Sequence, residues 1–367
     1  MRLIILFCCF ALSFLYSQST EKWRNFTTSN SPLTKEWISC FCEDNDGKIY
    51  IGSSNNFCPL SGCGIYTYTN KNLMLLNESD SLESITDMIK TSDGSIIFST
   101  YDCIYTIVQN NIFNLDTLNL IENNPGIISI ETNDNEEIFL GTIEGRLLVI
   151  REKQIFELNS ENSILGKGSI YDLIFYDSVL FIGSNDGLFT FNNNELSAIE
   201  GPQYISSFAV DKNNLLWIGS YLSGLFVYKE SQVSNVLRNT SVCSIEIDEN
   251  NYQWLGGYVS GLLKFDSNLK LIVDTLNTSN SDIASNCIQS LYIDVKGNIW
   301  IGTFNNGVSV YNENGLTIDS PNEWDFNVIA GVSNATAEYY GGNEVENLIY
   351  NQFQAINERF KYAFAKK

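Results

Sequence analysis

The sequence predicts an all-β fold, a seven-bladed β-propeller with a short C-terminal strand-helix tail. The first observation is a phrase that recurs seven times and is clearest at residues 293–303 (IDVKGNIWIGT). The second is the spacing of the residue that ends each copy, which advances by 36 to 47 positions through Gly52, Ser99, Gly141, Gly183, Gly219, Gly256 and Gly302. A period near 40 built on a strand-turn-strand phrase is typical of propeller blades.

Each repeat predicts the same four strands. In the last repeat, residues 288–293 alternate like a half-buried strand, residues 294–298 form a polar turn, and residues 299–302 are apolar enough to be buried on both faces. A third strand begins at Gly307, and the variable polar segments supply a fourth. Because one blade cannot bury both its faces, seven blades are expected to stack around an axis.

The recurring residues are predicted to be structural. Large aromatic side chains of the second strands should fill the space between blades, at Phe139, Phe181, Trp217, Trp254 and Trp300. The glycine that ends each phrase should allow a neighbouring backbone to come close. An aspartate eight residues earlier should stabilise the turn with its side chain, at Asp44, Asp211, Asp248 and Asp294.

Residues 22–27 (KWRNFT) precede the first repeat and alternate like a strand. A ring of blades is open at one seam unless its first and last units are joined. We therefore predict that this segment pairs as the outer strand of the last blade.

The chain is expected to be exported. Residues 1–17 combine Arg2, an apolar run too short for a membrane span and a small-residue cleavage point, which is typical of a signal peptide. The predicted domains are this signal peptide, a propeller over residues 18–318 and a tail over residues 319–367. The mature protein is predicted to be periplasmic, at the cell surface or secreted, with no membrane span.

Composition excludes several functions. The net charge of −22 argues against binding to nucleic acid or anionic lipid, both of which need a basic surface. The sequence has no histidine, which excludes Ser-His-Asp and Cys-His catalysis and histidine-bound metals. We expect no cofactor, no metal and no enzymatic activity. Cys58 and Cys63 lie in one loop insertion and are the predicted disulfide.

The phrase at residues 294–311 (D-x-x-G-N-I-W-I-G-T, then a strand ending in Tyr311) resembles the two-component regulator propeller repeat. The segment from Trp23 through residues 30–34 (NSPLT) to Ser39 resembles the start of such a domain. The resemblance covers about residues 20–318, and it implies a propeller that serves as an extracytoplasmic sensor region. In that family the sensor region often precedes a membrane helix and a histidine-kinase or regulator module. The sequence contains no second membrane helix and no kinase segment, so it is more similar to secreted, stand-alone members.

The tail differs from the repeats. Residues 324–332 have the pattern of a buried strand, and residues 343–366 that of an amphipathic helix. A strand and helix of this kind faintly resemble the opening of a secreted zinc-metallopeptidase domain, although the zinc-binding histidine motif is absent. The alternative is a capping element or an interaction tail.

The turns between second and third strands are the predicted binding face, because all of them should emerge on one side of the ring. An aromatic ring follows two positions after the phrase-ending residue in four repeats, and amides stand beside one of them. Such rings suit stacking on sugars or holding peptide, although they could also simply cover the blades. The predicted ligand-binding residues are Tyr101, Tyr221, Tyr258, Phe304, Asn305 and Asn306.

Three functions follow from these observations. The favoured one is an exported, non-enzymatic sensor or interaction module that binds an extracytoplasmic glycan, peptide or protein. The second is the propeller part of a truncated secreted metallopeptidase. The third is a carboxylate-based enzyme acting on a glycan, which requires two carboxylates converging in the central funnel.

Overall fold

The computed structural model describes residues 21–55, 63–69, 72–77, 79–116, 121, 125–152 and 154–316. The predicted signal peptide, the C-terminal strand and helix, and Cys58 lie outside these residues. The domain boundaries and the Cys58–Cys63 disulfide therefore stay predictions. Cys63 is buried, with its Sγ 3.9 Å from Ser84 Oγ.

Within the described residues, twenty-eight strands form seven four-stranded antiparallel sheets, which confirms the seven-bladed propeller. Blade 1 contains β2 (Trp37–Glu43), β3 (Ile49–Ser54), β4 (Ile65–Thr69) and β5 (Asn72–Leu75). Blade 2 contains β6 (Ile85–Lys90), β7 (Ile96–Thr100), β8 (Ile104–Val108) and β9 (Asn111–Asn114), after a 3-10 turn at Ser79–Ser81. Blade 3 contains β10 (Ile127–Thr132), β11 (Ile138–Thr142), β12 (Leu147–Arg151) and β13 (Gln154–Leu158).

The remaining blades repeat this order. Blade 4 contains β14 (Ile170–Tyr176), β15 (Val179–Ser184), β16 (Gly187–Asn192) and β17 (Glu195–Ile199). Blade 5 contains β18 (Ile205–Val210), β19 (Leu216–Ser220), β20 (Gly224–Lys229) and β21 (Gln232–Leu237). Blade 6 contains β22 (Ser244–Ile247), β23 (Gln253–Gly256), β24 (Leu262–Asp266) and β25 (Leu271–Leu276). Blade 7 contains β26 (Ile288–Ile293), β27 (Ile299–Thr303), β28 (Val308–Tyr311) and, from the N-terminus, β1 (Trp23–Phe26).

The ring closes at blade 7 as the sequence predicts. β1 pairs antiparallel with β28, from Trp23 opposite Tyr311 to Phe26 opposite Val308. The rings of Trp23 and Tyr311 lie 4.4 Å apart between centroids. The N-terminal segment thus supplies the outer strand of the last blade and covers an edge that would otherwise be unpaired.

The first strands of the blades contact one another and line the centre of the ring. Each of the seven junctions has a hydrogen bond between an inner-strand side chain and the backbone of the next blade. The pairs are Ser39 with Ile85, Asp87 with Ile130, Ser129 with Ile170, Asp172 with Phe208, Ser207 with Ile245, Ser244 with Leu291, and Ser290 with Ile38. The last pair joins blade 7 to blade 1.

Buried aromatic side chains fill the gaps between blades as predicted. Phe139, Phe181, Trp217, Trp254 and Trp300 are all buried. Trp300 of blade 7 packs against Tyr68 of blade 1, with ring centroids 5.1 Å apart. The apolar core is therefore divided into layers between neighbouring sheets.

We call the turns that join first to second and third to fourth strands the lower face of the ring. Here the predicted aspartates close their turns. Asp294 Oδ1 accepts hydrogen bonds from the backbone N–H of Lys296 at 3.0 Å and of Asn298 at 2.8 Å, while Oδ2 accepts one from Trp300 Nε1–H at 2.9 Å. The same indole bond joins Asp211 to Trp217 and Asp248 to Trp254.

The reason for the phrase-ending glycines differs from the prediction, which invoked a neighbouring backbone. A Cβ on Gly302 would lie 2.2 Å from Ser290 Oγ and 2.9 Å from Ile38 Cγ2 of the next blade. Gly141, Gly183 and Gly256 meet the corresponding isoleucine in the same way. The glycine is needed because a buried isoleucine side chain at the start of the next inner strand occupies that space.

Candidate binding face

The turns that join second to third strands lie together with the segments that lead into the inner strands. We call this the upper face. Backbone hydrogen bonds join the two parts: Tyr221 N–H donates to Tyr204 O at 2.9 Å, and Phe304 N–H donates to Cys287 O at 3.1 Å. The predicted face is therefore built from two kinds of segment, of which only the turns were predicted.

Two of the predicted tyrosines form a pair. Tyr221 of blade 5 and Tyr258 of blade 6 meet edge to face, with ring centroids 5.4 Å apart and an angle of 70° between the rings. Tyr221 is 37% exposed and Tyr258 is 45% exposed. Partial burial, together with the neighbouring Tyr258 phenol, raises the pKa of Tyr221. Both tyrosines therefore present part of a flat ring with a polar hydroxyl to solvent.

The two turns share a motif that the sequence analysis missed. Residues 221–224 read Tyr-Leu-Ser-Gly and residues 258–261 read Tyr-Val-Ser-Gly. Leu222 is 60% exposed and Val259 is 73% exposed, so each tyrosine stands beside an aliphatic side chain in solvent. Gly224 has φ +100°, and a Cβ there would lie 1.9 Å from Leu237 O. The glycine therefore fixes the shape of the turn that presents both side chains.

Phe304 belongs to a different aromatic pair. Its ring packs against Trp37 of blade 1, with centroids 4.4 Å apart, and both side chains are partly buried. Asn305 is exposed, whereas the backbone N–H of Asn306 donates to Thr303 Oγ1 at 2.9 Å and holds the turn. This pair covers the upper end of the seam between blades 7 and 1.

Tyr101 stands apart from the other three rings, on blade 2. Burial raises its pKa to about 12, with smaller effects from Cys63 and from Tyr171 of blade 4. The structure thus brings together Tyr221 and Tyr258, places Phe304 against a residue outside the predicted set, and leaves Tyr101 across the ring. The role of all six residues in ligand binding stays a prediction.

Two exposed tyrosines of the upper face escaped the sequence analysis. Tyr171 and Tyr204 are 44% and 42% exposed and lie where the chain enters the inner strands of blades 4 and 5. Each is adjacent to a fully buried isoleucine, Ile170 or Ile205, that opens the inner strand. An isoleucine recurs at this place in most blades, so aligning the repeats on it would have identified both tyrosines and Trp37.

Acidic side chains line the centre of the ring. Burial raises the pKa of Asp87 to about 7, of Glu131 to about 7 and of Glu246 to about 8. It also raises the pKa of Asp172 well above its usual range, with a further contribution from Asp87. All four side chains keep some accessible surface, as expected of groups that border a central channel.

The carboxylates of three inner strands are engaged by backbone groups. Asp87 accepts hydrogen bonds from the N–H groups of Met88 at 2.8 Å and Ile130 at 3.0 Å. Asp172 accepts those of Leu173 and Phe208 in the same manner, and Glu131 accepts that of Thr132 at 2.7 Å. Ser207 and Ser244 make the equivalent interblade bond in blades 5 and 6. Asp87 and Asp172 therefore act as links between blades.

The described part of the chain contains no cluster of three or more histidine, cysteine, aspartate or glutamate side chains placed to hold a metal ion. Within the same residues, no helix has the length and apolar character needed to cross a membrane.

The family model of the two component regulator propeller matches residues 32–55 and 282–305. These segments contain β2 and β3 of blade 1 and β26 and β27 of blade 7. Two of the blades carry the two component regulator propeller repeat. Both blades border the seam of the ring, and the second matched segment includes the Asp294 phrase on which the resemblance was based. No curated protein matches the sequence.

Solved structures share the fold at low sequence identity. The chain is 19% identical to the extracellular domain of a protein described as a hybrid two component system of B. thetaiotaomicron, with a TM-score of 0.67 over 81% of this chain and 40% of that one. Virginiamycin B lyase from Staphylococcus aureus is 13% identical, with a TM-score of 0.61 over 79% and 99%. PorZ of the type-IX secretion system of Porphyromonas gingivalis is 15% identical, with a TM-score of 0.60 over 77% and 47%.

Proposed function

We propose that this propeller is an exported, non-enzymatic binding or sensor module that holds its ligand on the upper face. The observation that carries the proposal is the exposed pair Tyr221–Tyr258, flanked by Leu222 and Val259. A soluble domain exposes such a contiguous aromatic and aliphatic patch mainly where it binds something. The patch lies at the tips of turns that two adjacent blades hold rigidly, so little conformational entropy is lost on binding.

The comparisons support export and sensing by analogy. The similar structures include extracellular domains of proteins described as two component systems, which this chain matches over less than half of their length. A stand-alone binding protein and the sensing part of a larger assembly both fit this likeness. The partner is an extracytoplasmic glycan, peptide or protein.

An enzymatic role has less support. Asp87, Glu131 and Asp172 are the converging carboxyl groups that such a role requires, but they hold backbone N–H groups. A histidine-to-alanine variant of virginiamycin B lyase is described as catalytically inactive, whereas this sequence contains no histidine. Nothing in the described residues favours the metallopeptidase alternative, which concerns the tail.

The test is an array of glycans and peptides probed with the wild-type protein and with the Tyr221→Ala/Tyr258→Ala variant. The control is Phe113→Ala/Phe156→Ala, which removes two rings that are similarly exposed on the outer strands β9 and β13. We expect the tyrosine variant to lose the ligand and the control to keep it. Retention of the ligand by the tyrosine variant would place the binding site elsewhere.

A further inference from the structure

A groove of about 580 Å³ opens beside the tyrosine pair, between blades 4 and 5. One wall is formed by β16 and β17 and the residues that follow them, and the other by Leu222 and Ser223 at the tip of the blade 5 turn. Phe189, Ile199 and Pro202 contribute apolar surface to its lining. The groove is therefore a concave site next to the patch, with both apolar and polar side chains in its lining.

The groove and the tyrosine patch form one continuous surface. Tyr204 and Leu222 line the groove and are both exposed on the upper face. The backbone hydrogen bond from Tyr221 N–H to Tyr204 O fixes the groove rim against the turn that carries the pair. A ligand that crosses the upper face from blade 6 to blade 4 would contact Val259, the two paired rings, Leu222 and then the groove.

The groove carries negative charge. Asp186 and Glu200 are exposed at its lining, and neither forms an ion pair with a described lysine or arginine. Asp186 Oδ2 accepts the Gly168 N–H at 2.6 Å, which turns that oxygen toward residues 166–168 at the border of the groove. Two carboxylates beside apolar surface attract a cation that has an apolar neighbour.

From this surface we infer the ligand class of the proposed binding face: an extended polypeptide segment in which a lysine or arginine is flanked by aliphatic or aromatic residues. The inference rests on the proposed function. The cationic side chain pairs with Asp186 and Glu200 in the groove, and the apolar side chains cover Leu222, Val259 and the tyrosine rings. A polysaccharide fits less well, because Leu222 and Val259 offer its hydroxyl groups no hydrogen-bond partners.

The probes are fluorescein-labelled decapeptides of alternating leucine and lysine, with matched peptides in which glutamate replaces lysine or serine replaces leucine. Laminarihexaose serves as a glycan probe. Fluorescence anisotropy measures the peptides, and calorimetry measures the glycan. The wild-type protein should bind the leucine–lysine peptide, and both replacements should weaken binding at least several-fold.

Two groove variants sharpen the test. Asp186→Asn/Glu200→Gln should weaken the affinity for the leucine–lysine peptide roughly 3- to 30-fold, the factor for losing two partly exposed ion pairs. Leu222→Ser/Val259→Ser should weaken it by about 10-fold or more. The matched control is Asp134→Asn/Glu249→Gln, which makes the same change in net charge at exposed lower-face turns and should leave the affinity unchanged.

The inference is overturned if the leucine–glutamate peptide binds as well as the leucine–lysine peptide, if none of the peptides binds, or if the groove variants match the control. Tight binding of laminarihexaose that Tyr221→Ala/Tyr258→Ala abolishes would overturn the inference and leave the proposed function standing. A ligand whose affinity that tyrosine variant leaves intact would instead overturn the proposed function.

Discussion

On the lower face, an aspartate bonded to a tryptophan six residues later recurs in blades 5, 6 and 7. On the upper face, the second-to-third strand turns of blades 2, 5, 6 and 7 carry four different sequences, of which only the turns at residues 221–224 and 258–261 share a motif. The lower-face aspartates and tryptophans form hydrogen bonds with each other inside the fold. On the upper face, by contrast, the side chains of Tyr221, Leu222, Tyr258 and Val259 are directed to solvent. The recurring residues thus build the ring, and the exposed, less regular ones are those proposed to bind a ligand.

The largest effect should come from breaking the seam, because every blade depends on a closed ring. Removing residues 20–28 deletes β1 and exposes the unpaired edge of β28. We expect a sharp fall in the melting temperature, measured by circular dichroism. A melting curve like that of the wild type would show that β1 is dispensable and that the repeats hold the ring alone.

A smaller loss is expected from Trp300→Ala, which empties the layer between blades 7 and 1 beside Tyr68. The free energy of unfolding should fall by about 3–5 kcal/mol. Denaturant titration measures it, with Phe113→Ala as the exposed control. A loss below about 1 kcal/mol would contradict the assignment of this ring to the core.

Asp294 should contribute less to the free energy of unfolding than the Trp300 side chain to which it is bonded. Asp294→Ala removes the acceptor of two backbone N–H groups and of the Trp300 indole. We expect a loss of roughly 1–3 kcal/mol, since buried donors are left without partners. Unchanged stability would contradict the conclusion that the lower-face aspartates stabilise the ring.

The scaffold of the ring could be predicted from the sequence. Seven copies of one phrase define the blades, the interblade aromatic residues and the turn aspartates. A residue that recurs at the same position of the repeat is expected to have the same structural role in each blade. Residues 22–27 predicted the seam correctly because only one edge of the ring lacked a partner.

The upper face was less predictable, because its residues do not recur from blade to blade. Trp37, Tyr171 and Tyr204 lie in segments that vary in length, so their convergence depends on how each outer strand returns to the centre of the ring. The groove at Asp186 and Glu200 arises between two blades and has no signature within one repeat. The Asp–Trp hydrogen bond was visible as a spacing of six residues, but the spacing alone does not show that the two side chains meet.

The acids of the channel should make stability depend on pH. Burial raises the pKa of Glu246 to about 8, so the folded protein holds this proton more tightly than the unfolded chain, whose glutamate titrates near pH 4. Stability should therefore fall as pH rises from about 4 to about 8 and stay low above that. Glu246→Gln should raise the melting temperature by a few degrees at pH 9 and hardly at all at pH 5. Equal shifts at both pH values would contradict this.

The smallest effect on stability, and the largest on binding, is expected from Tyr221→Ala/Tyr258→Ala. The most direct measurement is to titrate a ligand identified on the array into this variant and into Phe113→Ala/Phe156→Ala by calorimetry, and to record the melting temperature of each. The upper-face variant should lose about 10-fold or more in affinity while its stability changes by less than about 1 kcal/mol. Full affinity, or a loss of stability comparable to that of Trp300→Ala, would contradict the division between a scaffold that recurs and a face that binds.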